Sequence, residues 1–161
     1  MEPIQTPPHE IIVVNTLEDR QKCYDVRIKV FHLEQKFPLE TEIDENEDIA
    51  IHFLLRLTPS LEPVGTIRLL QPPGKDYWKL SRLAVLKDYR RHRFGHELVS
   101  ALHAWLKQHA LQIGHLGPVE VVCHSQIPVQ GFYAKFGYTP QGEPFDEDGD
   151  PHQKMVLRMP L

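Results

Sequence analysis

A strand, an arginine-rich loop and a long helix follow one another without a break from Leu80 to Ala110, and this succession constrains the 161-residue chain more than any other stretch. Leu83, Ala84, Val85 and Leu86 run apolar on both faces, which predicts a strand buried on both sides. Leu98, Ala101, Leu102, Trp105, Leu106 and Ala110 recur at helical spacing, so this helix turns one stripe to a core. Between the two lie Arg90, Arg91 and Arg93, where the helix must start. A helix start offers unpaired N–H groups and the positive end of the dipole, and arginine adds bidentate donors. Gly95 permits close approach of a ligand to the backbone. The stretch reads as a cradle for pyrophosphate, or as a solvated basic loop that happens to precede a helix.

Composition separates these readings in part. Eighteen Lys and Arg against 22 Asp and Glu give a net charge of −4. The loop is therefore a local basic feature on an acidic body, which favours one specific anion and argues against a nucleic-acid partner. A hydrophobic fraction of 41% fits a globular chain. No run approaches the ~20 apolar residues of a membrane span, and Met1 to Gln5 lack a basic region followed by an apolar one. The expectation is a cytoplasmic protein, also nuclear in a eukaryote, with Cys23 and Cys123 reduced and structural. Ten histidines invite a metal site, but His92 and His96 share a helix face with arginines that repel a cation, so no metal is expected.

Taken in order, residues 1–9 hold three prolines and are expected to be a disordered tail, followed by a single domain over 10–161. Glu10 to Asn15 reads as a strand, and Asn15 or Thr16 as the cap of a helix from Leu17 to Gln35 with core residues Cys23, Val26, Val30 and Phe31. Pro38 ends it. Six of the ten residues Leu39 to Asp48 are acidic: a solvated loop, or a wall that attracts a cationic amine. Strands follow at Ile49–Leu57, Val64–Leu70 and Tyr77–Lys87. After the long helix come a buried-type strand, Val119–His124, parallel to the earlier one, a short helix Pro128–Phe136 closed by Gly137, a loop Gln141–Pro151 and a last strand His152–Met159. The fold class is α/β, an α+β mixed sheet with helices packed on it.

The loop resembles motif A of the GCN5-related N-acetyltransferases (GNAT), Arg/Gln-x-x-Gly-x-Gly/Ala. Arg90 matches its first position and Gly95 its last, while Arg93 stands at its middle glycine, which implies that Arg93 points outward onto a phosphate. Gly131-Phe132-Tyr133-Ala134-Lys135-Phe136-Gly137-Tyr138 resembles the second strong segment of that superfamily. Val30-Phe31-His32-Leu33-Glu34-Gln35 and Phe145-Asp146-Glu147-Asp148-Gly149-Asp150-Pro151-His152 resemble its ElaA/YjcF-like branch. The resemblance implies a GNAT-like acyl-CoA N-acyltransferase fold, a twisted, mostly antiparallel sheet with two central parallel strands splayed apart and about four helices. It implies acetyl-CoA as co-substrate, an amine on a small molecule or peptide as acceptor, and direct transfer in a ternary complex. The backbone of Leu83, Ala84 and Val85 would pair with the pantetheine arm. Arg90, Arg91, Arg93, Phe94, Gly95 and His96 would line the pyrophosphate. Phe132 and Lys135 would flank the cofactor, and Tyr133 would sit by the sulfur.

An attacking amine must lose a proton and the leaving thiolate gains one, so the chemistry needs a base and a proton donor. Tyr133 supplies an O–H, or is a packed helix tyrosine. Base candidates are Glu34, Asp44, His124, Asp148 and His152. Glu34 and His152 rank first, Glu34 because its helix face would bury it and raise its pKa, His152 because histidine suits the task. A non-catalytic module of the same fold that senses coenzyme A or a nucleotide is the alternative. Monomer and homodimer both remain open, the latter through the edge strand Lys154–Met159.

Overall fold

The structure, a computed structural model, describes residues 5–161. Among the described residues eight strands and three α-helices follow in the order β1 (His9–Val13), α1 (Leu17–Arg27), β2 (Ile51–Leu57), β3 (Pro63–Leu70), β4 (Trp78–Val85), α2 (Phe94–Gln112), β5 (Val119–Gln126), α3 (Gln130–Ala134), β6 (Thr139–Pro140), β7 (Phe145–Glu147) and β8 (Asp150–Met159). They form one mixed sheet in the order β1-β2-β3-β4-β5-β8-β6, with β7 on β8. Only the β4–β5 pair is parallel among the registers described; β1–β2, β5–β8, β6–β8 and β7–β8 are antiparallel. The expected mixed sheet with a parallel pair is what the chain forms.

The residues cluster into two compact units, one holding the chain up to Arg68 with Arg82–His103, the other Leu69–Ser81 with Ala104–Leu161. In the first, Thr16 caps α1 by accepting from the Asp19 N–H at 3.1 Å. Cys23, Val26 and Val30 are buried as expected. The helix does not stay α to Gln35: Ile28–Glu34 widens to a π-helix, a form common beside functional sites. Pro8 and His9, expected in the tail, take part in the fold. Met1–Ile4 lie outside the described residues, but Pro8 accepts from the Thr58 N–H at 3.0 Å. His9 opens β1 and gives its ring hydrogens to Pro7 O and Glu97 Oε1, both at 2.8 Å. Burial opposes charge on His9, yet Glu97 and the Pro7 carbonyl outweigh it and the pKa is raised.

The acidic stretch is not a free wall. Glu47 is buried and takes Arg27 Nη1 at 3.0 Å, Arg27 Nη2 at 2.9 Å and Arg68 Nη1 at 3.1 Å. Asp44 takes Arg68 Nη1 at 2.9 Å, and Asp48 takes Arg20 at 2.7 Å. Arg27 Nη2 also donates to the Glu42 carbonyl, and Arg82 Nη2 to the Thr41 carbonyl at 2.8 Å. Glu40 and Glu45 alone of the six carboxylates are both exposed and outside this network. The loop is thus tied down by arginines, and the sequence argument for a cationic acceptor loses its footing.

In the second unit, α2 from Ala104 onward lays Trp105 and His109 against Trp78 of β4, with ring centroids 6.2 and 5.5 Å away. Gly137 closes the short helix at φ 100°, donating to the Ala134 carbonyl at 3.0 Å. Cys23 and Cys123 are buried and unbridged. Burial pushes the Cys123 thiol up to about 12, so it is no nucleophile. No helix among the described residues is long and apolar enough to cross a membrane.

Removing Arg27 leaves the buried Glu47 carboxylate with only Arg68 of its two arginines, so Arg27→Met should cost about 3 kcal/mol in urea unfolding at pH 7. Burial would raise the Asp44 and Glu47 carboxyls, but the arginine hydrogen bonds and charges outweigh it and both lie below their ordinary values of 3.8 and 4.5. Their contribution is whole above those values and drains as the pH falls through the lowered folded ones. Wild-type stability should therefore decline on acidification below about pH 4.5, and more steeply than that of Arg27→Met.

Candidate functional site

The first unit builds the loop that the sequence singles out. Arg82, at φ 54°, puts a left-handed residue inside β4, a conformation that locally breaks a strand's regular pleat. Beyond it Leu83 is half-buried, while Ala84 and Val85 are buried, Ala84 against Val26 and Val30. The Leu86 N–H reaches the Val64 carbonyl at 2.9 Å, and Lys87–His92 forms a 3-10 turn. Arg93 then takes φ 61° and ψ 29°, and α2 begins at Phe94. The left-handed step explains the motif's middle glycine, since an L-residue there costs about 1 kcal/mol. It also leaves Phe94 and Gly95 as first-turn residues, whose N–H groups have no intrahelical acceptor.

The arginines divide their work. Arg90 donates from Nε to the Val85 carbonyl at 2.9 Å and from both Nη atoms to Glu34 at 2.6 Å. It is a brace between the π-helix and the end of β4. Arg91 and Arg93 are exposed, and among the described residues neither has a carboxylate partner within an ion-pair distance. Phe94 differs from expectation: its side chain is fully buried, ringed by His9 and His92 at 4.5 and 5.4 Å, so it can meet a ligand only through its backbone. Glu34 also differs. Its hydrogen bonds to Arg90 hold its carboxyl below the ordinary range, the opposite of the raised value expected of a base. A groove of about 510 Å³ lies beside the brace, between Lys29, Leu33 and Glu34 on one side and Leu86, Lys87 and Tyr89 on the other.

In the second unit Tyr133 projects from α3 and is buried, edge-on to Phe132 and Tyr138 at 5.1 and 5.8 Å. Burial, and next the neighbouring Cys123 thiol, raise its pKa well above the usual phenol value. Its O–H is a reserve of one proton at neutral pH. Phe132 is half-buried and Lys135 exposed.

The two histidines among the base candidates share one carboxylate. His124 Nδ1 lies 2.9 Å from Glu147 Oε1, and His152 Nε2 lies 3.7 Å from Glu147 Oε2. His152 is buried, and its Nδ1–H donates to the Asp150 carbonyl at 2.8 Å. Phe145 lies edge-on to His124 at 5.0 Å and stacks over His152 at 6.2 Å. Hydrogen bonding to His124 comes first among the causes that lower the Glu147 carboxyl. Sequence reasoning missed Glu147 by taking Gln141–Pro151 for a loop. The signal was there: Asp148 and Gly149 both adopt positive φ, 54° and 83°. Asp-Gly favours the tight hairpin turn that such angles make. That turn pairs Phe145 with His152 and Glu147 with Asp150. Asp148, another base candidate, is the exposed turn residue itself. Asp44 belongs to the arginine network.

Residues 20–159 match the family model described as the acetyltransferase (GNAT) domain. The uncharacterized N-acetyltransferase YjcF of Bacillus subtilis is 32% identical over 146 residues, 90% of this chain and 96% of YjcF. The crystal structure of a candidate N-acetyltransferase from Lactobacillus plantarum superposes with a TM-score of 0.80 at 28% identity, covering 94% of this chain and 99% of that one. Escherichia coli ElaA superposes with a TM-score of 0.74 at 24% identity, over 92% and 97% of the two chains.

If Arg93 bears left-handed strain, Arg93→Gly should leave the fold intact and raise the free energy of unfolding by about 0.5 kcal/mol, the relief at Arg93 exceeding the entropy glycine adds to the unfolded chain. Urea unfolding of the two proteins measures it; a loss of 1 kcal/mol or more would contradict it.

Proposed function

The chain belongs to the GNAT acetyltransferase family, and from that premise we propose that it transfers an acetyl group from acetyl-CoA directly to a primary amine of a small molecule or peptide, in a ternary complex without a covalent enzyme intermediate. The observation that carries this reading is the left-handed step at Arg93, which opens α2 with exposed arginines beside its first N–H groups. The pyrophosphate lies against the backbone of Phe94, Gly95 and His96, with the charges of Arg91 and Arg93 over it. Arg90 holds the loop in shape through Val85 and Glu34, a bracing role in place of the base role for Glu34. The backbone of Leu83, Ala84 and Val85 hydrogen-bonds the pantetheine arm, and an N–H near Val85 polarises the thioester carbonyl. Phe132 and Lys135 flank the cofactor.

Tyr133 donates to the departing sulfur. Burial keeps its phenol protonated, so its O–H is available to hydrogen-bond the sulfur as the C–S bond breaks. With Glu34 committed to Arg90, the base is sought around Glu147, where His152, the other first-ranked candidate, lies. Acetyl-CoA is the co-substrate, and no metal enters the scheme.

Three measurements test the reading. Wild-type protein should release free coenzyme A thiol from acetyl-CoA only when an amine is present; binding without release would make the chain a sensor of the same fold. The Arg91→Glu/Arg93→Glu protein should bind acetyl-CoA at least ~10-fold more weakly by calorimetry, since each charge-assisted phosphate contact is worth about 1.5 kcal/mol or more. Tyr133→Phe should keep the acetyl-CoA affinity and lose about 100-fold in kcat.

A further inference from the structure

We propose that His124, through Nε2, is the group that takes the proton from the acceptor amine, with Glu147 and His152 as the residues that position it. The inference deepens the acetyl-transfer reading and rests on it.

The tautomer follows from the partners. A carboxylate only accepts, so the His124 nitrogen 2.9 Å from Glu147 Oε1 carries a hydrogen. That leaves Nε2 of the neutral ring as a lone pair, and no partner engages Nε2 among the described residues. The side chain is 26% exposed. His152 is the wrong member of the trio for the task. Its Nδ1–H is spent on the Asp150 carbonyl, its Nε2 faces Glu147 at 3.7 Å, and its side chain is only 7% exposed. It acts as a wall that keeps Glu147 aimed at His124.

Register puts these groups on one face. His124 pairs with Lys154 and Gln126 with His152 across β5 and β8, so His124 and His152 are diagonal neighbours. Cys123, one residue earlier, points to the opposite face. Cys123 is the thiol whose charge reaches Tyr133. The charged groups around His124 are Glu147 from β7, His152 and Lys154 from β8, and Lys79 of β4, whose charge reaches Glu147.

The proton count closes. The acceptor arrives as an ammonium with three N–H bonds and leaves as an amide with one. His124 Nε2 takes one proton and passes it to solvent. The freed lone pair forms the C–N bond, the C–S bond breaks, and its electron pair goes to sulfur. Tyr133 protonates the sulfur and recovers the proton lost by the new amide nitrogen.

Two variants test this, each with acetyl-CoA affinity by calorimetry beside the pH profile of kcat/KM for one reactive primary amine. His124→Asn keeps a donor for Glu147 but removes the base; His124→Gln removes both the ring and its geometry. Both should bind acetyl-CoA within about twofold of wild type, lose about 100-fold in kcat, and lack the acid limb of the profile. Glu147→Gln should lower kcat about 10-fold with the KM for the amine within about twofold, because the ring loses the acceptor that fixes its tautomer and orientation, a split a merely structural residue would not produce. Retention of the limb and of kcat within twofold in either folded His124 variant overturns the inference while leaving acetyl transfer standing. No thiol release by wild-type protein with any amine overturns the transfer reading, and this inference with it.

Discussion

A carboxylate nearly cut off from water has to be answered by fixed positive charge, and in this chain Glu47 makes that demand. Arg27 comes to it from α1 and Arg68 from β3, so one buried charge holds a helix, a strand and an otherwise irregular loop together. The attraction is strong only because the site is dry, and for the same reason no member is dispensable. This cluster anchors the loop Leu39–Ala50, whose local structure is a 3-10 turn at Leu39–Thr41 and a turn in which the Ile49 and Ala50 N–H groups donate to the Asn46 carbonyl. An acidic segment that looks in sequence like bait for cations is spent on internal arginines.

The second constraint is conformational. Five non-glycine residues among those described take left-handed backbone, and three of them redirect the chain beside the candidate site: Arg82 within β4, Arg93 before α2, and Asp148 between β7 and β8. Each costs free energy that the surrounding structure has to supply. Each also presents something. Arg82 alters the strand ahead of Leu83–Val85, Arg93 exposes the first turn of a 19-residue helix, and Asp148 folds Glu147 back to the histidines. These three positions, though not Lys36 and Leu61, coincide with the segments assigned roles in acyl transfer.

What could be read from the sequence was local. The stripe on α2, the β-branched strands, the Thr16 cap and the Gly137 terminus all follow from spacing and propensity within a few residues. Arg93 was visible as a departure at a glycine position, and its positive φ is the physical reason for that glycine. What escaped was non-local pairing. Nothing near Arg27 in the sequence shows that Glu47, 20 residues on, will pair with it in the interior. Glu34 reads as a free carboxylate because Arg90 lies 56 residues away. Glu147 was hidden differently: Asp148-Gly149 carries the hairpin signal, but the short strand before it has too little apolar pattern to stand out from a loop.

The most direct test of the account is hydrogen exchange of the backbone amides of residues 91–97 with and without acetyl-CoA. If the start of α2 grips the pyrophosphate, the N–H groups of Phe94 and Gly95 become hydrogen-bonded to it, and their exchange should slow at saturating acetyl-CoA while that of the distant end of α2 near Leu111 stays unchanged. Unaltered exchange across 91–97 under conditions where acetyl-CoA is bound would place the cofactor elsewhere and contradict the account at its base.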